Sequence, residues 1–155
     1  MARKPKVADT FAKVNDELHA TLGKPDTKRG IRRYPVPPDP KMWIDRIHAA
    51  GGSAALCKDN SAQYLCVVDG PPSRLMDFVT WVSWQSKSAR NALDALHDEV
   101  GLRVEKVAYT SFVMRLGRVP SDPDTHAKRF AKIVMNGDAA RISSALQKRR
   151  WNTGT

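Results

Sequence analysis

Two short stretches set cations directly against an aromatic ring. Lys28, Arg29, Arg32 and Arg33 lead into Tyr34 in "KRGIRRY", and Lys148, Arg149 and Arg150 lead into Trp151 in "QKRRW". Guanidinium and ammonium groups neutralise backbone phosphates. A ring beside them stacks on an unpaired base, a contact worth ~1–3 kcal/mol per base on single strands. The second set extends upstream through Lys128, Arg129, Lys132 and Arg141. Arg141 and Lys148 are two helical turns apart and so share a face. The chemistry predicted is grip on a polyanion.

Catalytic patterns are missing. The chain has no G-x-x-x-x-G-K-[ST], H-E-x-x-H or G-x-S-x-G pattern. In "HDE" (His97, Asp98, Glu99) three titratable groups are sequence neighbours. On a helix they point about 100° apart and cannot meet one substrate atom. Asp69, Asp77 and Glu105 would serve a metal-dependent nuclease only if their segments brought them together. Cys57 and Cys66, with C-x8-C spacing, match no zinc pattern and are expected to be free, half-buried thiols. No catalytic residue, metal site or cofactor is therefore predicted.

Charge is sorted along the chain. The 155 residues carry a formal +10. Residues 1–34 hold nine Lys/Arg against four Asp/Glu, residues 35–114 eight against nine, and residues 115–155 nine against three. The near-neutral middle holds three of the four tryptophans and both cysteines, as a packed core with two cationic flanks would. One-signed blocks produce a directional field, and nucleic acid is the commonest polyanion to meet it. The expected function is non-enzymatic binding of DNA or RNA through the phosphate backbone, with little sequence preference. The alternatives are an adaptor or inhibitor that docks on an acidic protein partner and, third, a metal-dependent nuclease. No apolar run of ~18 residues exists, so no membrane span is expected. The start, "MARKPKVADTFAKVNDEL", lacks the apolar stretch of a secretory signal, and a cytoplasmic location is expected.

The elements that must carry these cations can be read in outline. Val7, Phe11, Val14 and Leu18 lie at helical spacing, with Thr10 or Asp9 as cap and Gly23 and Pro25 as terminators. Residues 24–39 read as a linker, stiffened by prolines 35, 37 and 38, that holds its cations away from the core. Asp39 with Pro40 starts a second helix. "SAALCK" and "QYLCVVDG" read as two strands, and 75–85 as a third on its β-branched and aromatic content. "SKSARNALDALHDEVG" is a helix, and "LRVEKVAYTSFVMRLGRV" two more strands. "THAKRFAKIVM" and "AARISSALQKRRW" form a helical pair joined at Gly137. The expected fold is α+β, a mostly antiparallel sheet of four or five strands, divided into an arm (1–38), a core (39–121) and a C-terminal helical hairpin (122–155). An offset of 49 lays "IDRIHAAGG" over "LDALHDEVG", matching Asp45 to Asp94, His48 to His97 and Gly52 to Gly101, as a twice-used helix–strand–strand unit would.

Two local patterns resemble known binding modules without assigning the chain to either. Helix, three strands, helix over 40–100 resembles a double-stranded RNA-binding domain, and "SKSARNAL" (86–93) is similar to the start of that family's last helix. The resemblance implies that Lys87 and Arg90 meet phosphates there. It departs where "TWVSW" replaces the small, glycine-rich approach to that helix. "SFVMRLGRV" followed by two helices is similar to a ribbon-helix-helix protein, which implies Arg115 as a base reader.

Overall fold

The computed structural model describes residues 10–28, 30–58, 62–78, 86–108, 111–134 and 137–153. Among the described residues, five α-helices, one 3-10 helix and seven strands follow in the order α1 (Phe11–Leu22), β1 (Asp26–Lys28), β2 (Ile31–Pro35), α2 (Pro40–Ala49), β3 (Gly52–Lys58), β4 (Gln63–Asp69), the 3-10 helix (Pro72–Phe78), α3 (Lys87–Val100), β5 (Leu102–Val107), β6 (Phe112–Leu116), α4 (Pro123–Ala131), α5 (Ala139–Gln147) and β7 (Arg150–Asn152). The fold is α+β. All seven strands belong to one sheet in the order β1-β2-β4-β3-β5-β6-β7. Every pairing is antiparallel except β3 with β5, which run parallel at the centre.

The sheet is larger than the expected four or five strands because two segments read otherwise join it. The cationic linker folds as the β1–β2 hairpin, and β2 pairs with β4 from Arg32↔Val67 to Pro35↔Tyr64. Those prolines do not hold the cations away from the core. Pro35 ends β2, at the edge of its ladder, where a missing N–H is tolerated. At the other end, "RWN" leaves the last helix and adds β7 beside β6. Residues 75–78, expected as strand, lie in the 3-10 helix; 79–85 fall outside the described residues.

Alternation along the strands divides the side chains between two cores. One face carries Tyr34, Ala54, Leu65 and Val67 against Val14 and Leu18 of α1 and Trp43 and Ile47 of α2. The other carries Ala55, Cys57, Cys66, Val68, Val104, Phe112 and Met114 against the 3-10 helix and α3, α4 and α5. Caps fix the helix starts: Thr10 Oγ1 accepts from Lys13 N (3.2 Å), and Ser86 Oγ accepts from Ala89 N (3.1 Å). Asp39 occupies the N-cap of α2 but makes no side-chain cap bond, and Pro40 supplies the first-turn geometry. Gly101, at φ 70°, turns α3 directly into β5, a conformation side chains resist.

Two segments share one order, α2-β3-β4 and α3-β5-β6. Their first strands are the parallel central pair, and their helices lie on opposite faces of the sheet. A twofold rotation about an axis along the strands relates two units so placed. His48 and His97 sit in the last turns of their helices near that axis.

Candidate nucleic-acid interface

The two sets of terminal cations end in different surroundings. On β2, Arg32 lies over the Phe11 ring at 5.6 Å. Arg33 pairs with Asp26 and lies over Tyr64 at 5.0 Å. Tyr34 is fully buried, its Oη donating to Asn15 Oδ1 at 2.9 Å, and burial pushes its phenol pKa up. Its ring is core, not a stacking platform. Lys28 ends β1, and Arg29 lies outside the described residues. Arg32 and Arg33 are thus engaged in tying an edge hairpin to the sheet. β2 also stands five strands from β7, about 24 Å at ~4.8 Å per strand, so the two sets do not meet on neighbouring strands.

The module resemblances do not carry through to their site residues. Arg90 pairs with Asp77 of the 3-10 helix, while Lys87 is exposed in the first turn of α3. Among the described residues no third strand separates β4 from α3, as the double-stranded RNA-binding order would need. The ribbon-helix-helix arrangement needs a strand free to pair with a second chain. β6 is flanked by β5 and β7, so both its edges are taken.

What the structure brings together lies at the C-terminal end. The α1 and α2 cluster packs over β2, β3 and β4, and α2 reaches β5 through Asp45. Among the described residues no helix packs on the same face of β6 and β7. Here the ladder sets Arg103 opposite Arg115, and Arg115 opposite Arg150. These three side chains are 48%, 59% and 52% exposed. Like charges directly opposite one another cost a sheet stability, so folding alone does not favour this row. The carboxylates beside it offset part of the repulsion. Asp45 of α2 pairs with Arg103, and Glu105 binds Arg115 Nε at 2.5 Å and lies 3.9 Å from Arg150 Nε. Half-exposed pairs of this kind are worth at most ~1 kcal/mol each.

Arg150 also joins this row to a groove of about 620 Å³ between α5 and β7, where Arg141 and Lys148 project from one face of the helix. Neither of those two cations has an ion-pair partner among the described residues. The same holds for Lys128, Arg129 and Lys132, which are exposed on α4. Trp151 lines the same groove, but almost wholly from beneath. It is 6% exposed and meets Phe130 edge-on at 5.1 Å, in the core behind β7. One residue of β7 therefore faces the solvent as a cation and the next seals the core.

Sequence reasoning missed Arg103. It stands in the near-neutral middle, where charge counting finds nothing. The signal available was the alternation in "LRVEKV", which puts Arg103 on the exposed side of β5, one hairpin before Arg115. The three carboxylates weighed for a nuclease do not converge: Asp77 is with Arg90 below the sheet, Glu105 is on the opposite face with Arg115, and Asp69 is exposed at the end of β4. Among the described residues no three His, Cys, Asp or Glu side chains group as metal ligands would, and no helix is long and apolar enough to cross a membrane.

One titratable group is strongly perturbed. Burial, then the nearby Arg103 guanidinium, hold the His48 pKa down to about 4, against a weak bond to Ala54 O (3.4 Å) that favours the cation. His48 is neutral at pH 7. Elsewhere, hydrogen bonds from Ser121 and His126 hold Glu99 low, and those from Thr125 hold Asp122 low. No family model, curated protein or solved structure matches this chain.

Proposed function

We propose that this is a non-enzymatic nucleic-acid-binding protein that grips the phosphate backbone with little sequence preference. The observation that carries the reading is a row of exposed cations, Arg103, Arg115 and Arg150 across three strands, with Lys148 and Arg141 in the α5–β7 groove that Arg150 also lines at the edge of the sheet. With five cations engaged, log affinity should fall with log salt at a slope of about −4.5 on duplex and about −3.5 on single strands. Binding to plain fragments across a salt series measures it. Replacing Arg141 and Arg150 together by Gln should flatten the duplex slope by about 2. No binding at low salt removes the reading, and capture of an acidic protein that survives nuclease treatment transfers the same surface to the adaptor reading.

A further inference from the structure

At the junction of the two helix–strand–strand units lies a cleft of about 520 Å³, large enough for one nucleotide. Three guanidinium groups line it: Arg103 from β5, Arg115 from β6 and Arg149 from the turn before β7. His48 and His97 line it from the last turns of α2 and α3, and among the described residues no Asp or Glu does. Ala49, Gly101, Leu102, Leu116 and Gly117 complete the lining.

The three arginines are held, not merely near. Arg103 Nη1 donates to Asp45, Arg115 Nε to Glu105, and Arg149 Nε to the Leu116 carbonyl at 3.1 Å. Each guanidinium is thus oriented by one fixed acceptor while other N–H groups stay available, the arrangement that suits a tetrahedral oxyanion. Arg149 also adopts φ 63°, the one non-glycine residue among those described with positive φ. Backbone strain at a side chain facing a cleft is the kind that binding sites retain. Partial negative charge from the ends of α2 and α3, about half a charge each, and the Asp45 and Glu105 carboxylates paired with Arg103 and Arg115 oppose an anion here, so attraction in the cleft rests on its directed N–H donors rather than on net charge. His97 Nδ1 is occupied, accepting from Leu102 N at 3.0 Å, which turns its other nitrogen outward as a donor.

We propose that this cleft binds a phosphomonoester, the phosphorylated terminus of a nucleic-acid strand whose following nucleotides lie on the Arg103–Arg115–Arg150 row. A terminal phosphate offers three strong acceptor oxygens where an internal diester offers two unbridged ones, which suits three guanidinium groups lining one cleft better. The proposal rests on the backbone-binding reading for the strand, and on the cleft alone for the phosphate. A free mononucleotide offers the same chemistry, so the test separates the two.

One single-stranded oligonucleotide is prepared with a 5′-phosphate, a 3′-phosphate or neither, and binding is followed by anisotropy beside a 5′-mononucleotide. The variants are Arg149→Asn, which suits the left-handed backbone while removing the charge, and Arg149→Gln. One phosphorylated form should bind about tenfold tighter than the bare strand, and either variant should abolish that preference while leaving bare-strand affinity within about threefold. With the native protein, inorganic phosphate should also move the His48 imidazole titration upward in NMR, because an anion beside Arg103 offsets the charge that now opposes protonation. Equal affinity for all three strands overturns this inference and leaves the backbone reading standing. Binding of the mononucleotide alone, lost in Arg149→Asn, keeps the cleft and removes the strand. A preference that survives in both variants lies elsewhere and overturns the site.

Discussion

Lowering the pH from 7 to 5 should destabilise this protein by about 2 kcal/mol through His48 alone. His48 is held neutral by burial and by Arg103, with His97 adding repulsion, against Asp45 and the Ala54 carbonyl, which favour its cation. Its folded pKa of about 4 lies below the ordinary 6.5. Between those values the unfolded chain binds a proton that the folded chain refuses, so stability rises with pH across the window. The contribution is fully present above about pH 6.5 and is lost as pH falls toward 4. The difference of about 2.5 pH units sets a ceiling of about 3 kcal/mol, of which about 2 falls between pH 7 and pH 5. That is a large part of a typical 5–15 kcal/mol, worth about 4–8 °C in Tm for a domain of this size. The place of His48 in the last turn of α2 would by itself favour a cation by only ~0.3–1 kcal/mol, so burial wins. Glu99 and Asp122 have lowered pKa values, so their contribution is lost only as pH falls below the ordinary carboxylate range, and the two windows separate. The assay is thermal unfolding of the native protein and His48→Gln at half-unit steps. The native curve should lose about 2 kcal/mol more than the variant between pH 7 and 5. Parallel curves would refute the burial argument.

Trp151→Ala should cost about 3–5 kcal/mol in denaturant unfolding while affinity per folded molecule stays unchanged, because the ring packs on Phe130 and not on a base. Loss of binding without loss of stability would return Trp151 to the interface. Tyr34→Phe removes the bond to Asn15 and should cost about 1 kcal/mol, again without effect on nucleic-acid affinity. Cys57 and Cys66 are both fully buried and free, and burial raises the Cys57 thiol pKa. A thiol reagent should therefore label neither at neutral pH until the chain unfolds, and rapid labelling of the native protein would contradict the packing of β3 on β4.

The legible parts of the fold were those where one local signal acts alone. Helical spacing with a capping Thr10 or Ser86 located α1 and α3, and alternation located β3 to β6. The elements misread were those that tertiary pairing decides. "IRRYP" is polar and proline-flanked, and becomes a strand because β4 offers it an edge and because Tyr34 and Ile31 find cores on opposite faces. "RWN" is too short for a pattern, yet Trp151 anchors it. The site suffered the same limit. Counting charges along the chain gives equal weight to Arg33, spent on Asp26, and Arg141, which has no ion-pair partner among the described residues. It gives none to Arg103, because a cross-strand row joins residues that sequence separates.

The face of β6 and β7 that no helix covers among the described residues follows from how the second unit departs from the first. After β4 the chain crosses beneath its own hairpin, and Leu75 and Met76 of the 3-10 helix fill the face that α2 leaves open. A twofold-related continuation after β6 would cross to the α1/α2 side and cover β5 and β6 in the same way. The chain instead turns at Pro120 into α4, whose Ala127 and Phe130 pack on the side α3 already occupies, and α5 joins it there with Ile142 and Leu146. One side of the second unit is thus doubly covered, and among the described residues no helix covers β6 and β7 on the other. On that open side, positions that would need apolar side chains under a helix carry Arg103, Arg115 and Arg150 instead. The cationic surface is therefore tied to a break in the fold's own symmetry, and a helix docked there would have to bury the guanidinium groups that the surface presents.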